Sequence, residues 1–159
     1  MPYIVDKGVR FLKKPELEWL LPNEPLDVEK INNIGLAIGV KFPRSYINCA
    51  SQYHGGSPNL NLFDFKGHEE VIFGSLLSFN EEDTNNIVSV YNDIKQVLPR
   101  GTVPFAADPF GNYICFTYQD KVEEPVITFW DHEAALMTPD RSISYVCKDF
   151  DSFLELLYT

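Results

Sequence analysis

Residues 27–56, DVEKINNIGLAIGVKFPRSYINCASQYHGG, carry the pattern that decides the fold. Val28, Ile31, Ile34 and Ile38 recur at three- and four-residue steps and make one face of an amphipathic helix, with Asp27 placed to cap its start. Gly39 ends it. Pro43 then stands where a second helix can begin, Tyr46, Ile47, Ala50 and Tyr53 form that helix's buried stripe, and Gly55 with Gly56 is expected to supply a left-handed stop. The expectation is a helical hairpin with a tight, proline-bearing corner.

Downstream the period changes. Leu60, Leu62, Phe63 and Phe65 lie among polar residues and Val71, Ile72 and Phe73 form a short apolar run, so both stretches read as strands. Glu81, Glu82 and Asp83 are expected at the positive end of a helix carrying Ile87, Val90, Tyr91, Ile94 and Leu98, closed by Pro99 and Gly101. Residues 103–106 and 113–118 then make a hairpin around a turn at Asp108, Pro109, Phe110, Gly111 and Asn112. Two more strands are expected over residues 126–130 and 143–146, and Asp149 or Asp151 caps a last helix with Phe150, Phe153, Leu154 and Leu157 on one face. Helices first, then a mainly antiparallel meander, then a closing helix give an α+β domain with helices packed on the sheet.

Upstream, residues 1–25 contain Pro15, Pro22 and Pro25 around Glu16, Leu17, Glu18, Trp19, Leu20 and Leu21, which reads as a short helical turn within an N-terminal arm packed on a domain of residues 26–159. A chain of 159 residues suits one domain that hides roughly 70% of its unfolded surface. The beginning of the chain has no basic segment followed by an apolar one, and no window approaches the roughly 18 apolar residues that cross a bilayer, so a cytoplasmic, non-membrane protein is expected. Cys49, Cys115 and Cys147 are odd in number, widely spaced and set in apolar stretches, which fits buried thiols in a reducing compartment.

The formal charge is −10, with 23 acidic against 13 basic residues, and this sign opposes nucleic-acid phosphate and anionic lipid alike. It suits a basic protein partner, or simply solubility. No catalytic constellation emerges: a G-x-S-x-G elbow, a P-loop and a dinucleotide fingerprint are all missing. Asp131, His132 and Glu133 are three potential metal ligands in a row, but adjacent side chains seldom converge on one ion, and an exposed turn in which Asp131 satisfies local donors explains them better. His54 and His68 are isolated. Neither a metal nor a cofactor is expected. The carboxylates Glu81, Glu82, Asp83, Glu123 and Glu124 lie in polar segments that favour solvation over acid–base chemistry, and these five are the candidate contacts to a basic partner. The many aromatic residues lack the positive groove of a base-stacking platform and read as core.

The order of motifs resembles the SUKH superfamily, which groups the fungal cell-wall-assembly regulator domain with many bacterial immunity proteins. The resemblance rests on the corner from Gly39 through Phe42 and Pro43 to Tyr46, the helix end Tyr53, His54, Gly55 and Gly56, and the hairpin with Gly111 and Asn112. It continues with the strand ending at Trp130 before Asp131, and with the closing Phe150 to Leu154. It runs from about Asp27 to the C-terminus, and departs from the usual pattern in the Tyr53-His54 pair and the longer arm. Pro43, Tyr46, Gly55, Gly56, Gly111 and Trp130 transfer as scaffold positions, not as an active site. The resemblance implies a non-enzymatic antitoxin that binds a toxin, often a basic nuclease; the alternative it implies is a regulatory or scaffolding module.

Overall fold

The computed structural model describes residues 3–5, 11–120 and 122–159. The remainder of the arm, and Lys121 of the charged loop, lie outside the described residues. In order the chain runs β1 (Tyr3–Val5), β2 (Phe11–Lys13), β3 (Trp19–Leu20), α1 (Val28–Ile38), α2 (Arg44–Tyr53) and β4 (Ser57–Pro58). Then come β5 (Leu62–Phe65), β6 (His68–Ile72), β7 (Ser75–Leu76), α3 (Ile87–Ile94), β8 (Thr102–Ala107) and β9 (Tyr113–Thr117). The last elements are β10 (Val126–Trp130), α4 (His132–Met137), β11 (Ile143–Cys147) and α5 (Phe150–Leu156). Among the described residues strands β11-β10-β9-β8-β7 form an antiparallel meander, and β1–β2, β3–β4 and β5–β6 pair as separate two-stranded ribbons.

The hairpin of α1 and α2 forms for the reasons the sequence supplies. Asp27 accepts a hydrogen bond from the Glu29 amide, and Gly39 adopts φ +112°, a left-handed conformation that costs glycine no Cβ clash. Gly35 matters for another reason: a Cβ there would lie 2.7 Å from Phe42 Cδ2, so its bareness lets the corner close onto α1. Pro43 stands just ahead of α2, and its carbonyl accepts from the Ile47 amide.

Alternation along β9 gives the sheet two distinct faces. Ile114 and Phe116 point into the main core, while Cys115 joins Trp130 and Ala135 in a second cluster with Ile94, Val97 and Leu98. On that second side Thr117 shares its hydroxyl with Thr102 (3.1 Å) and Thr128 (3.0 Å), a polar rung within the sheet. The main core is aromatic. Tyr46 is wholly buried, edge-on to Phe42 (5.1 Å), Phe116 (5.0 Å), Phe105 (5.6 Å) and Phe150 (5.5 Å), while Phe105 and Phe116 stack at 4.3 Å. One ring thus joins α2, β8, β9 and α5.

Four expectations are corrected and one is refined. Residues 16–21 form no helical turn: Trp19 and Leu20 pair with Pro58 and Ser57, because the edge beside α2 offers ladder bonds that a lone turn between prolines cannot match. Tyr53 leaves the buried stripe and is 40% exposed, its ring stacked outside on Trp19. The stop after α2 is left-handed at Gly55 (φ +81°) as expected, but it comes one residue after the cap within a type II turn, with His54 extended (φ −54°, ψ 140°) and the Gly56 amide on the Tyr53 carbonyl. Helix α3 starts at Ile87, capped by Asn86, which takes the Ser89 amide; residues 81–84 form turns before it, and Leu98 follows a final 3₁₀ turn. Asp131, finally, begins a helix, α4, accepting from the amides of Glu133 and Ala134.

The Tyr46 hydroxyl finds no hydrogen-bond partner among the described residues, and burial pushes its pKa well up. Tyr46→Phe should therefore leave stability unchanged or raise it by up to about 1 kcal/mol. Tyr46→Ala, which empties the junction of four elements, should cost about 3–5 kcal/mol by urea denaturation.

Candidate functional site

Helix α1 sits on the core through Ile31 and Gly35, with Val28 in its first turn and Leu36 on its flank exposed. A groove lies along each flank. The first, of about 590 Å³, is lined by Val28, Glu29 and Asn32 of α1, by Lys41 and Arg44 of the corner, and by Glu123 and Glu124. Across the helix, a groove of about 760 Å³ is lined by Lys30, Asn33 and Ile34, and by Glu24, Glu81 and Glu82. The structure thus brings Glu81 with Glu82, and Glu123 with Glu124, to opposite sides of one helix.

Glu81, Glu82, Glu123 and Glu124 are exposed, whereas Asp83 is half-buried and turned inward. Its Oδ2 accepts from Ser78 Oγ (2.6 Å) and Asn23 Nδ2 (2.8 Å), and Asn23 Nδ2 also reaches Ser78 Oγ (2.8 Å). These hydrogen bonds hold the Asp83 carboxyl below its ordinary range. The loop is closed by Asn80, which takes the Glu82 amide on Oδ1, and by Asn86, whose Nδ2 donates to the Asp83 carbonyl. Asp83, Asn80 and Asn86 therefore shape the loop, and Glu81 with Glu82 are what it presents.

His54 anchors the same region from inside. The Phe79 amide donates to its Nδ1 (3.0 Å), so the ring proton sits on Nε2, which donates to the Glu24 carbonyl (2.9 Å). Both nitrogens are occupied by backbone. His132 is committed too: its Nδ1–H donates to Asn112 Oδ1 (2.7 Å), and Asn112 Nδ2 donates to Asp108 Oδ2 (2.9 Å), tying the β8–β9 turn to α4. Gly111 serves the turn through its backbone, at φ +90°, a conformation that glycine adopts without strain. Asp131 caps the helix and Glu133 is exposed, so the three consecutive polar residues diverge. Among the described residues no three His, Cys, Asp or Glu side chains are grouped to hold a metal ion.

The thiols are withdrawn as well. Burial pushes Cys49 up to about 12 and Cys147 up to about 11, and Cys115 is raised well above its ordinary value. What this face offers a partner is displayed charge on a shaped surface. Sequence reading missed Glu24 and Glu29 as groove residues, because only the fold brings them beside the two loop clusters.

The class the fold defines is an α+β domain with a five-stranded antiparallel meander, helices on both faces and acidic loops flanking one helix. The family model SUKH_6, SMI1-KNR4 cell-wall, matches residues 28–154, and the chain belongs to this SUKH family. The family is compatible with toxin immunity proteins and with SMI1/KNR4-like regulators, and is generally non-catalytic. No curated protein matches the chain. No helix among the described residues is long and apolar enough to cross a membrane.

Two outcomes follow. A depressed native carboxyl adds stability above its ordinary pKa and loses it as pH falls through the lowered value, so wild type should melt above Asp83→Ala at pH 7. Differential scanning calorimetry should show that gap narrowing as pH falls below the ordinary carboxyl value of 3.8. With a thiolate fraction on the order of one in ten thousand or less, the three cysteines should resist iodoacetamide at pH 7 until denaturant is added, as mass spectrometry would read.

Proposed function

We propose that this protein is an immunity protein that acts in the cytoplasm and neutralises a basic toxin, a nuclease by class, by covering its working surface. In this reading residues 26–159 are the binding domain, residues 1–25 are an arm upon it, and the exposed flanks of α1 meet the toxin. The observation that carries the reading is the pairing of Glu81–Glu82 and Glu123–Glu124 across α1, joined by Glu24 and Glu29, within a chain of net charge −10. A nuclease must present Lys and Arg to a phosphate backbone, and an acidic face competes for those same groups. The commitment of His54 and His132 to structural bonds and the raised thiols support binding over catalysis. A second reading, a regulatory module, is favoured by the cell-wall description of the matching family.

The test is titration calorimetry of the pure protein into the toxin domain encoded by the adjoining gene. One-to-one binding that weakens as salt rises is expected. Converting Glu81, Glu82, Glu123 and Glu124 to Gln together should weaken it about tenfold to a hundredfold, mostly through a slower association rate, since exposed pairs contribute about 0.2–1 kcal/mol each. Absence of heat at any salt concentration, with a cell-wall phenotype on gene deletion, would establish the regulatory reading instead.

A further inference from the structure

The stretch between Lys14 and Lys30 contains five acidic residues, Glu16, Glu18, Glu24, Asp27 and Glu29, all exposed, and no Lys or Arg. In its middle stands Leu21, 93% exposed, next to Leu20 at 50%, while Tyr53, 40% exposed, stacks on Trp19 two residues before it. Its backbone lies at φ +52°, in the left-handed region, and Pro22 follows it. Leucine is disfavoured there on both counts: its Cβ crowds its own carbonyl, and a following proline pushes a residue toward extended geometry.

Both flanks of Leu21 are fixed, which explains how the conformation persists. Leu20 pairs with Ser57, and Trp19 beneath it stacks on Tyr53 (6.0 Å) and meets Phe73 edge-on (5.8 Å). Pro22 packs on Gly56, and Asn23 is bound through its amide to the His54 carbonyl and through Nδ2 to Ser78 and Asp83. Glycine at position 21 would satisfy the same turn without strain. Leucine thus gains neither burial nor a comfortable backbone in the isolated protein, and strain of this kind gathers where a ligand is held.

We infer that Leu21, with Leu20 and Tyr53, is an apolar anchor that enters a pocket ringed by Lys and Arg on the partner protein. The inference rests on the binding role proposed above and names the residue at its centre. Charge complementarity selects this occupant: the knob lies in a stretch whose charged residues are all acidic, and it stands two residues from Asn23, which lines the groove of Glu24, Glu81 and Glu82 with the single cation Lys30. A central apolar residue inside a polar rim is the arrangement that concentrates affinity in a few side chains.

The experiment pairs thermal unfolding with calorimetric titration into the adjoining-gene toxin domain, using Leu21→Gly and Leu21→Asn, both of which tolerate a left-handed backbone. Both variants should melt at or above the wild-type temperature. Both should bind about tenfold or more weakly, with the salt dependence of wild type, because the carboxylates are intact. Wild-type affinity in either variant overturns the anchor while leaving the toxin-binding reading standing. So does a melting temperature well below wild type, which would make Leu21 a structural residue. If wild type itself does not bind, the toxin-binding reading fails and the anchor fails with it.

Discussion

The fold depends on the packing of one aromatic ring. Tyr46 projects from α2 into a box formed by Phe42, Phe105, Phe116 and Phe150, so the corner, two strands and the closing helix all meet on its faces. Edge-to-face contacts prefer particular angles, and a box of them fixes orientation as well as burial. The docking of α1 follows from it. Phe42, held against Tyr46, leaves no room for a side chain at position 35, and the glycine there sets how near α1 lies to the corner. That distance decides which flanks of α1 remain open and hence where the two grooves run.

A second layer of order is polar. His54 is clamped by backbone on both nitrogens and Asn23 reaches Ser78 and Asp83, so the segment before α1, the end of α2 and the loop after β7 form one unit. Two of these bonds join side chain to backbone and two join side chain to side chain, and together they order irregular chain that cannot satisfy its own amides. They explain how acidic side chains can stand on loops and still keep fixed positions.

The helical hairpin, the meander and the closing helix were legible because each rests on local periodicity and on capping residues read at their own positions, such as Asp27, Gly39 and Asp149. What escaped depends on contacts distant in sequence. The strand at Trp19 exists because Pro58 lies beside it, and Tyr53 is drawn outward by Trp19, neither of which a helical repeat can reveal. Asp83 looks like its neighbours Glu81 and Glu82 in sequence, and only the approach of Asn23, sixty positions away, separates its role from theirs. The carboxylate clusters were readable as charge, but their meeting across α1 was not, since no local pattern relates residues 81–82 to 123–124.

The loop of residues 80–86 divides labour between neighbours. The side chains of Asn80, Asp83 and Asn86 dictate its path, while Glu81 and Glu82 contribute to that path through their backbone and leave their carboxylates outward. Such a loop can exchange its outward letters without disturbing its inward grammar. Its surface chemistry can therefore change at those outward positions while the chain beneath keeps its course.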